Sequence, residues 1–399
     1  MRYSRTSCAT QPAVELTAGP LATRPQGGVL IVSLAVAGLM LVATAAEGWR
    51  MPVLLVLGGL LGATLYLTAF GFTSAYRNFV VHRDVAGMRA QIVMLALASL
   101  LFAPVLSAGS VFGHAVTGAV APVGLQVAAG ALMFGIGMQL AGGCGSGTLY
   151  TAGGGSPRMI VVLIAFCAGS FWATLHMGSW QRLPSWGEFV LGDMLGWPAA
   201  LIVQFAVLAA AWKLPERLLR KQNDNPPGLL RALARDWLLL LGAVLLAVLN
   251  FLVLIVAGHP WTITWAFALW GAKTAQFIGW EPGADGFWSG DFQSAALSSG
   301  IFQDVTSVTD IGIMIGALAA ASLAGRFAPT FRIPLRSLIA ATAGGLLMGY
   351  GARIAYGCNV GAFFSGVAST SVHGWLWIAA ALGGTWFGVR LRPWFGLKN

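Results

Sequence analysis

Apolar runs close to the ~20 residues that cross a bilayer as a helix recur along the whole sequence. They cover residues 29–46, 52–72, 91–107, 122–141, 159–177, 190–212, 238–257, 303–325, 337–354 and 374–391. Backbone amides in lipid find no water, so runs of this length fold as internally hydrogen-bonded helices. A soluble surface of charged side chains is out of reach, since 57% of residues are hydrophobic, 9% are charged and the mean hydropathy is +0.77. The pattern predicts an all-α polytopic membrane protein with about ten crossings and the lipid bilayer as its surroundings.

The net charge of +10 fits this reading and not nucleic-acid binding, because Lys and Arg sit in short clusters between the apolar runs. Arg77, Arg83 and Arg89 form one cluster, six Lys or Arg in 213–236 a second, Arg326, Arg332 and Arg336 a third, and Arg390, Arg392 and Lys398 the last. Basic loops stay cytoplasmic, which places both termini there and the segment with Glu281, Asp285 and Asp291 outside. The Trp-rich piece 261–280 then either enters and returns or lies along the interface. Residues 1–28 read as a flexible basic tail, 29–212 as a first membrane half, 213–236 as a cytoplasmic basic linker and 237–399 as a second half. The tripeptide Ala43-Thr44-Ala45 resembles a signal-peptidase site, but 28 residues are long for a positive leader, so 29–46 is read as a membrane helix.

Residues 135–147, GIGMQLAGGCGSG, return as 349–361, GYGARIAYGCNVG. Gly135, Gly137, Ala141, Gly143, Cys144 and Gly147 match Gly349, Gly351, Ala355, Gly357, Cys358 and Gly361 without a gap, and the similarity extends over 130–172 and 344–386. The first copy is entered from a neutral loop, 109–121, and the second from the basic loop 326–336, so the two start on opposite faces. Such opposition predicts two inverted-topology repeats, an arrangement that puts a transport path at the repeat interface near the midplane.

Glycines crowd each cysteine, and each costs about 0.8–1 kcal/mol against alanine inside a helix. The helices are therefore expected to break there, and broken backbone at membrane depth persists only where protein buries it or a cavity receives it. Released amides at Gly143, Gly145 and Gly147, and at Gly357, Asn359 and Gly361, are then able to face an anion, with helix starts near Ser156-Pro157 and 369–371 adding to the field. Close helix packing is the plainer role for small residues, yet it does not account for the paired cysteines. Cys144 and Cys358 are thus the candidate ligands, placed to hand a soft, sulfur-bearing solute from one uncharged thiol to the next. Cys167 reads as a small core residue and Cys8 as incidental to the tail. The four cysteines show no CxxC or metal spacing and the five histidines are scattered, so no metal, disulfide framework or cofactor is expected. Arg353, where the first copy has Gln139, either attracts the anion or pairs with Asp304 or Asp310.

With G-x-G-x5-G-C-x2-G present twice, the sequence resembles the YeeE/YedE family of bacterial inner-membrane sulfur transport proteins over most of residues 50–392. The resemblance implies an hourglass of helices with re-entrant loops, thiosulfate as the described substrate, and motif cysteines that contact the ion through S–H hydrogen bonds. It also implies a small cytoplasmic sulfur-carrier protein as a partner. Where the family carries a further cysteine ahead of an arginine, this chain reads Gly71-Phe72-Thr73-Ser74-Ala75-Tyr76-Arg77. Ser74 and Arg77 therefore stand in for a thiol and a basic group at a pore mouth. No P-loop or dinucleotide fingerprint accompanies the repeats. The sequence reads as a permease for a small sulfur-containing anion and not as an enzyme; a membrane thiol redox or sulfur-transfer protein is the alternative.

Overall fold

The computed structural model describes residues 24–219, 236–283 and 286–399. Most of the basic tail with Cys8, most of the 213–236 linker, and Asp285 lie outside the described residues.

The described chain is mostly helical. Helices α1 (Gly27–Ala45), α2 (Arg50–Thr68), α3 (Phe72–His82) and α4 (Ala86–Ala108) come first. A hairpin of β1 (Ser110–Val111) and β2 (His114–Ala115) follows, its two turn residues Phe112 and Gly113 both at positive φ, the conformation a tight two-residue turn requires. A short strand β3 (Pro122–Gly124) leads into α5 (Leu125–Ala141), α6 (Gly145–Gly153) and α7 (Pro157–Thr174), and β4 (Ser185–Glu188) returns to pair antiparallel with β3. The remaining helices are α8 (Trp197–Leu219), α9 (Trp237–Ala257), α10 (Thr264–Phe277), α11 (Asp291–Ser298), α12 (Val305–Leu323), α13 (Leu335–Ile354) and α14 (His373–Leu391). A wide π-helical turn, Asn359–Ser365, fills the space between α13 and α14.

Among the described residues, seven helical segments are long and apolar enough to cross a membrane, with α2–α3 and α5–α6 each counted once, and an eighth arises if α13 and the bent segment after it form one span. The protein is a multi-pass membrane protein. Helix α1 shows why: only Ser33 and Thr44 are buried, and Ile31, Leu34, Leu39 and Val42 point outward, a surface that only lipid tolerates. The Trp-rich segment forms α10, 14 residues and so roughly 21 Å long. It is a buried helix docked on α7, with the Phe267 and Phe166 rings 4.7 Å apart.

Small residues set the packing, as expected where lipid removes any hydrophobic drive between helices. Between α2 and α12, Gly58 lies over the Thr309 carbonyl, Gly62 over Ile313, Gly312 over Leu55 and Gly316 over Gly59. Between α5 and α13, Gly130 faces the Gly351 carbonyl and Gly137 faces that of Gly344, so the two helices run antiparallel. A methyl group at Gly130 or Gly137 would stand 2.6 or 2.7 Å from those oxygens, which no real side chain accepts. The glycines thus do pack closely, and the same residues also bring the helix breaks together.

Candidate functional site

Helix α5 stops at Ala141, and α13 stops at Ile354. Each stop is made by a left-handed residue: Gly142 at φ +81 in the first copy and Tyr356 at φ +60 in the second, followed by Gly357 at φ +156. The chain then extends and a new helix begins with the cysteine as its N-cap. Cys144 (φ −93, ψ −166) accepts a hydrogen bond at Sγ from the Gly147 amide at 3.4 Å. Cys358 (φ −103, ψ −164) accepts one from Val360 at 3.5 Å. A sulfur thus fills the place that a serine or aspartate oxygen takes at ordinary helix starts.

The two caps meet. The Cys358 sulfur sits against Gly145, 3.1 Å from where a Cβ on that glycine would be, with Ile263 at 3.5 Å from the same point. Both cysteines are free and buried. The other motif glycines have equally local reasons: a Cβ at Gly147 would stand 3.4 Å from the Cys144 sulfur, one at Gly361 3.1 Å from the Thr262 hydroxyl, and one at Gly143 3.4 Å from the Gly147 backbone.

Polar atoms without partners gather around the thiols. Asn359 donates from Nδ2 to the Tyr76 hydroxyl at 3.3 Å while its Oδ1 has no partner. Gln139 donates to the Thr73 carbonyl at 3.2 Å and leaves Oε1 unpaired. The Thr73 hydroxyl is buried beside Cys144. Buried polar groups are normally satisfied, so a cluster left open marks a place built to receive something polar. Beyond Gly361 a cavity of about 180 Å³ opens between 118–121, Trp261, Tyr356 and His373.

Cys144, Cys358, Asn359 and the five motif glycines are therefore brought together. Ser74, Arg77 and Arg353 are not part of that cluster. The Ser74 hydroxyl donates to the Gly71 carbonyl at 3.1 Å, and it is Thr73, one residue earlier, that reaches Cys144. Arg77 lies near Arg392. Arg353 stacks on Phe287 at 5.0 Å with Nε unpaired. Its suggested acidic partners are engaged elsewhere or empty: Asp304 accepts from Trp265 at 2.8 Å and from the Ser307 amide at 2.7 Å, and Asp310 makes no hydrogen bond.

Two residues were missed in the sequence. Arg158, at the start of α7, donates to the Ala141 carbonyl, to the Leu140 carbonyl at 3.0 Å and to the Ser337 hydroxyl at 2.9 Å. Arg392 donates to the Gln139 carbonyl at 2.6 Å. The last three carbonyls of α5, which a helix end leaves without partners, are all capped by guanidinium groups. Burial holds Arg392 down to about 10, with Arg77 and Arg158 close by adding to the effect, so it stays charged at neutral pH. In the second copy neutral groups do this work: Gln126 caps Ile354 at 2.9 Å and Trp377 donates to the Gly357 carbonyl at 3.2 Å.

Both cysteine turns fall inside the region, residues 67–387, that matches a family described as sulphur transport. The chain belongs to the sulphur-transport family. Relatives within reach of it are transporters by name. A thiosulfate transporter, TsuA, of Spirochaeta thermophila is 25% identical over 360 residues, 83% of this chain and 96% of the relative. TsuA of Escherichia coli is 25% identical over 367 residues, 85% and 94% of the two chains. A probable transporter, YedE, of Salmonella typhimurium is 31% identical over 137 residues, so the match spans about a third of that relative's length.

Proposed function

We propose that the protein is an inner-membrane permease that takes up a small sulfur-containing anion, thiosulfate or a close relative, through a central path on which Cys144 and Cys358 act in turn as uncharged thiol ligands. The observation that carries this reading is the meeting of the two N-cap cysteines over Gly145, with the buried Thr73 hydroxyl beside Cys144. Neutral S–H groups donate to a soft anionic sulfur without repelling it, and the amides of Gly145, Gly147, Asn359 and Gly361 add dipoles of the right sign. No His, Asp or Glu among the described residues hydrogen bonds to either sulfur, which favours passing contact over covalent chemistry.

The same reading takes the halves as inverted repeats. Two contacts support it: Gly130 with Gly351, and Gly137 with Gly344, exchange into one another when each residue is replaced by its counterpart in the other copy. Helices that run antiparallel and exchange in this way are related by a twofold axis perpendicular to both, which for membrane-crossing helices lies in the membrane plane. Adding the shorter apolar stretch Trp197–Lys213 of α8 and the 19-residue helix α14 to the eight spans gives about ten crossings, the number that puts both termini on the cytoplasmic side. Ser74 and Arg77 then lie on the cytoplasmic side of the thiols, and Arg353 on the other.

Uptake of 35S-thiosulfate by cells that lack other sulfur uptake tests the proposal. Wild type should accumulate label, and Cys144→Ala with Cys358→Ala should not, at equal membrane expression. Equal uptake by the double variant overturns it.

A further inference from the structure

Helix α12 carries one acidic residue inside its span, Asp310, which is fully buried and whose two carboxylate oxygens make no hydrogen bond. Its direction follows from helix periodicity, since residues three and four apart share a face. Ser307, three residues earlier, accepts a hydrogen bond from Trp270 of α10 at 2.9 Å, and Met314, four residues later, lies under Gly153 of α6. Asp310 therefore belongs to the stripe turned toward α10 and toward α6, the helix that Cys144 begins. The adjacent stripe, Thr309, Gly312, Ile313 and Gly316, is the one zipped to α2.

The titratable groups around Asp310 are few. Asp304 at the N-cap of α12, Cys167 on α7 and Cys358 are close enough to interact with it electrostatically. Lys273 of α10 is committed to the carbonyls of Leu297 and Ser299, at 2.8 and 2.6 Å. Helices α6 and α2 offer only the tyrosines Tyr150 and Tyr66 besides Arg50 at the start of α2, and α1 and residues 301–303 offer nothing titratable. Among the described residues no cation stands within hydrogen-bonding distance of either oxygen. A carboxyl enclosed this way is tolerated only while it carries a proton, and an ionisable group kept inside a span is by default a functional one.

An anion entering a cell that is negative inside moves against the membrane potential, and each proton carried with it offsets one unit of its charge. We propose that Asp310 is a proton-binding site that couples the anion to the proton gradient. The inference rests on the permease reading above. In each cycle the Asp310 carboxyl takes one proton from the outer side, and with the anion on the thiols the proton is released to the inner side; no other bond is made or broken.

The test uses the full chain in proteoliposomes with a lumenal pH dye, a clamped membrane potential and 35S-thiosulfate. Wild type should acidify the lumen as label enters. Asp310→Asn, which keeps the shape of the protonated acid, should exchange internal for external thiosulfate within about twofold of wild type, lose the acidification, and lose at least tenfold in accumulation driven by a pH gradient. Asp310→Glu should keep the acidification, and Asp310→Ser provides a second neutral variant if the asparagine form does not fold. Acidification by a neutral variant equal to wild type overturns the proposal, as does wild-type uptake with no acidification, which leaves the permease reading standing. Absence of any thiosulfate movement by wild type overturns both.

Discussion

The sulfur of Cys358 rests on the bare α-carbon of Gly145, with only 3.1 Å to the place where a methyl group would stand. Ile263 blocks retreat at 3.5 Å from that point. Gly145→Ala should therefore push the two cysteine turns apart, cost about 1–3 kcal/mol in stability as overpacking does, and cut thiosulfate uptake at least tenfold. Thermal unfolding of purified protein and a labelled-uptake assay read the two effects, and unchanged values in both would show that the contact is dispensable.

Removal of the guanidinium at position 158 strands the Leu140 and Ala141 carbonyls. Each buried acceptor left without a donor costs about 1–3 kcal/mol, so Arg158→Ala should lower the unfolding temperature markedly. Arg158→Lys should recover only part, because a single ammonium does not span two carbonyls and Ser337 as a planar fork does. Full stability in the alanine variant would refute the capping role.

Tyr356 holds the left-handed backbone that Gly142 holds in the other copy. A side chain there costs roughly 1–2 kcal/mol. Tyr356→Gly should raise stability by about 1 kcal/mol, whereas Gly142→Ala should lower it by a similar amount and crowd the Arg158 guanidinium, now 3.3 Å from the added carbon. Denaturation midpoints in detergent compare the pair; the opposite signs are the point of the experiment.

Thr73 faces Cys144 and Ser74 does not, so a thiol placed at these two sites should act differently. Thr73→Cys is expected to change the preference among sulfur anions, Ser74→Cys to leave it within about twofold, and Arg77→Ala to slow uptake through its place beside the arginine caps of α5. Competition of labelled thiosulfate by sulfite, sulfate and sulfide reports the preference. Equal profiles for both cysteine variants would remove Thr73 from the path.

The cysteine pair was legible because duplication wrote it twice, and the helices because each apolar run had to be long enough for lipid. The sequence offered Thr73 and Ser74 together as the hydroxyls in place of a thiol, and it could not choose between them, because a one-residue step on α3 turns a side chain by about 100°. Arg158 and Arg392 were hidden for another reason. Their partners are backbone carbonyls 17 and 253 residues away, and a carbonyl has no letter in the sequence. Of the two roles open to Arg353, the pairing with Asp304 or Asp310 rested on charge alone, whereas the structure sets its guanidinium over the face of Phe287.

The glycine contacts between α2 and α12, and between α5 and α13, join the two halves backbone to backbone over several turns of helix. Any tilt of one half as a block would have to part all of them together, with no water in lipid to take their place. On the permease reading proposed above, alternation between open states would be confined to a hinge-sized element, the turns 142–147 and 356–361, while the surrounding cage stays still. The permease proposed above would then work as a gated passage with a short stroke, and its turnover should depend little on how thick or stiff the surrounding bilayer is.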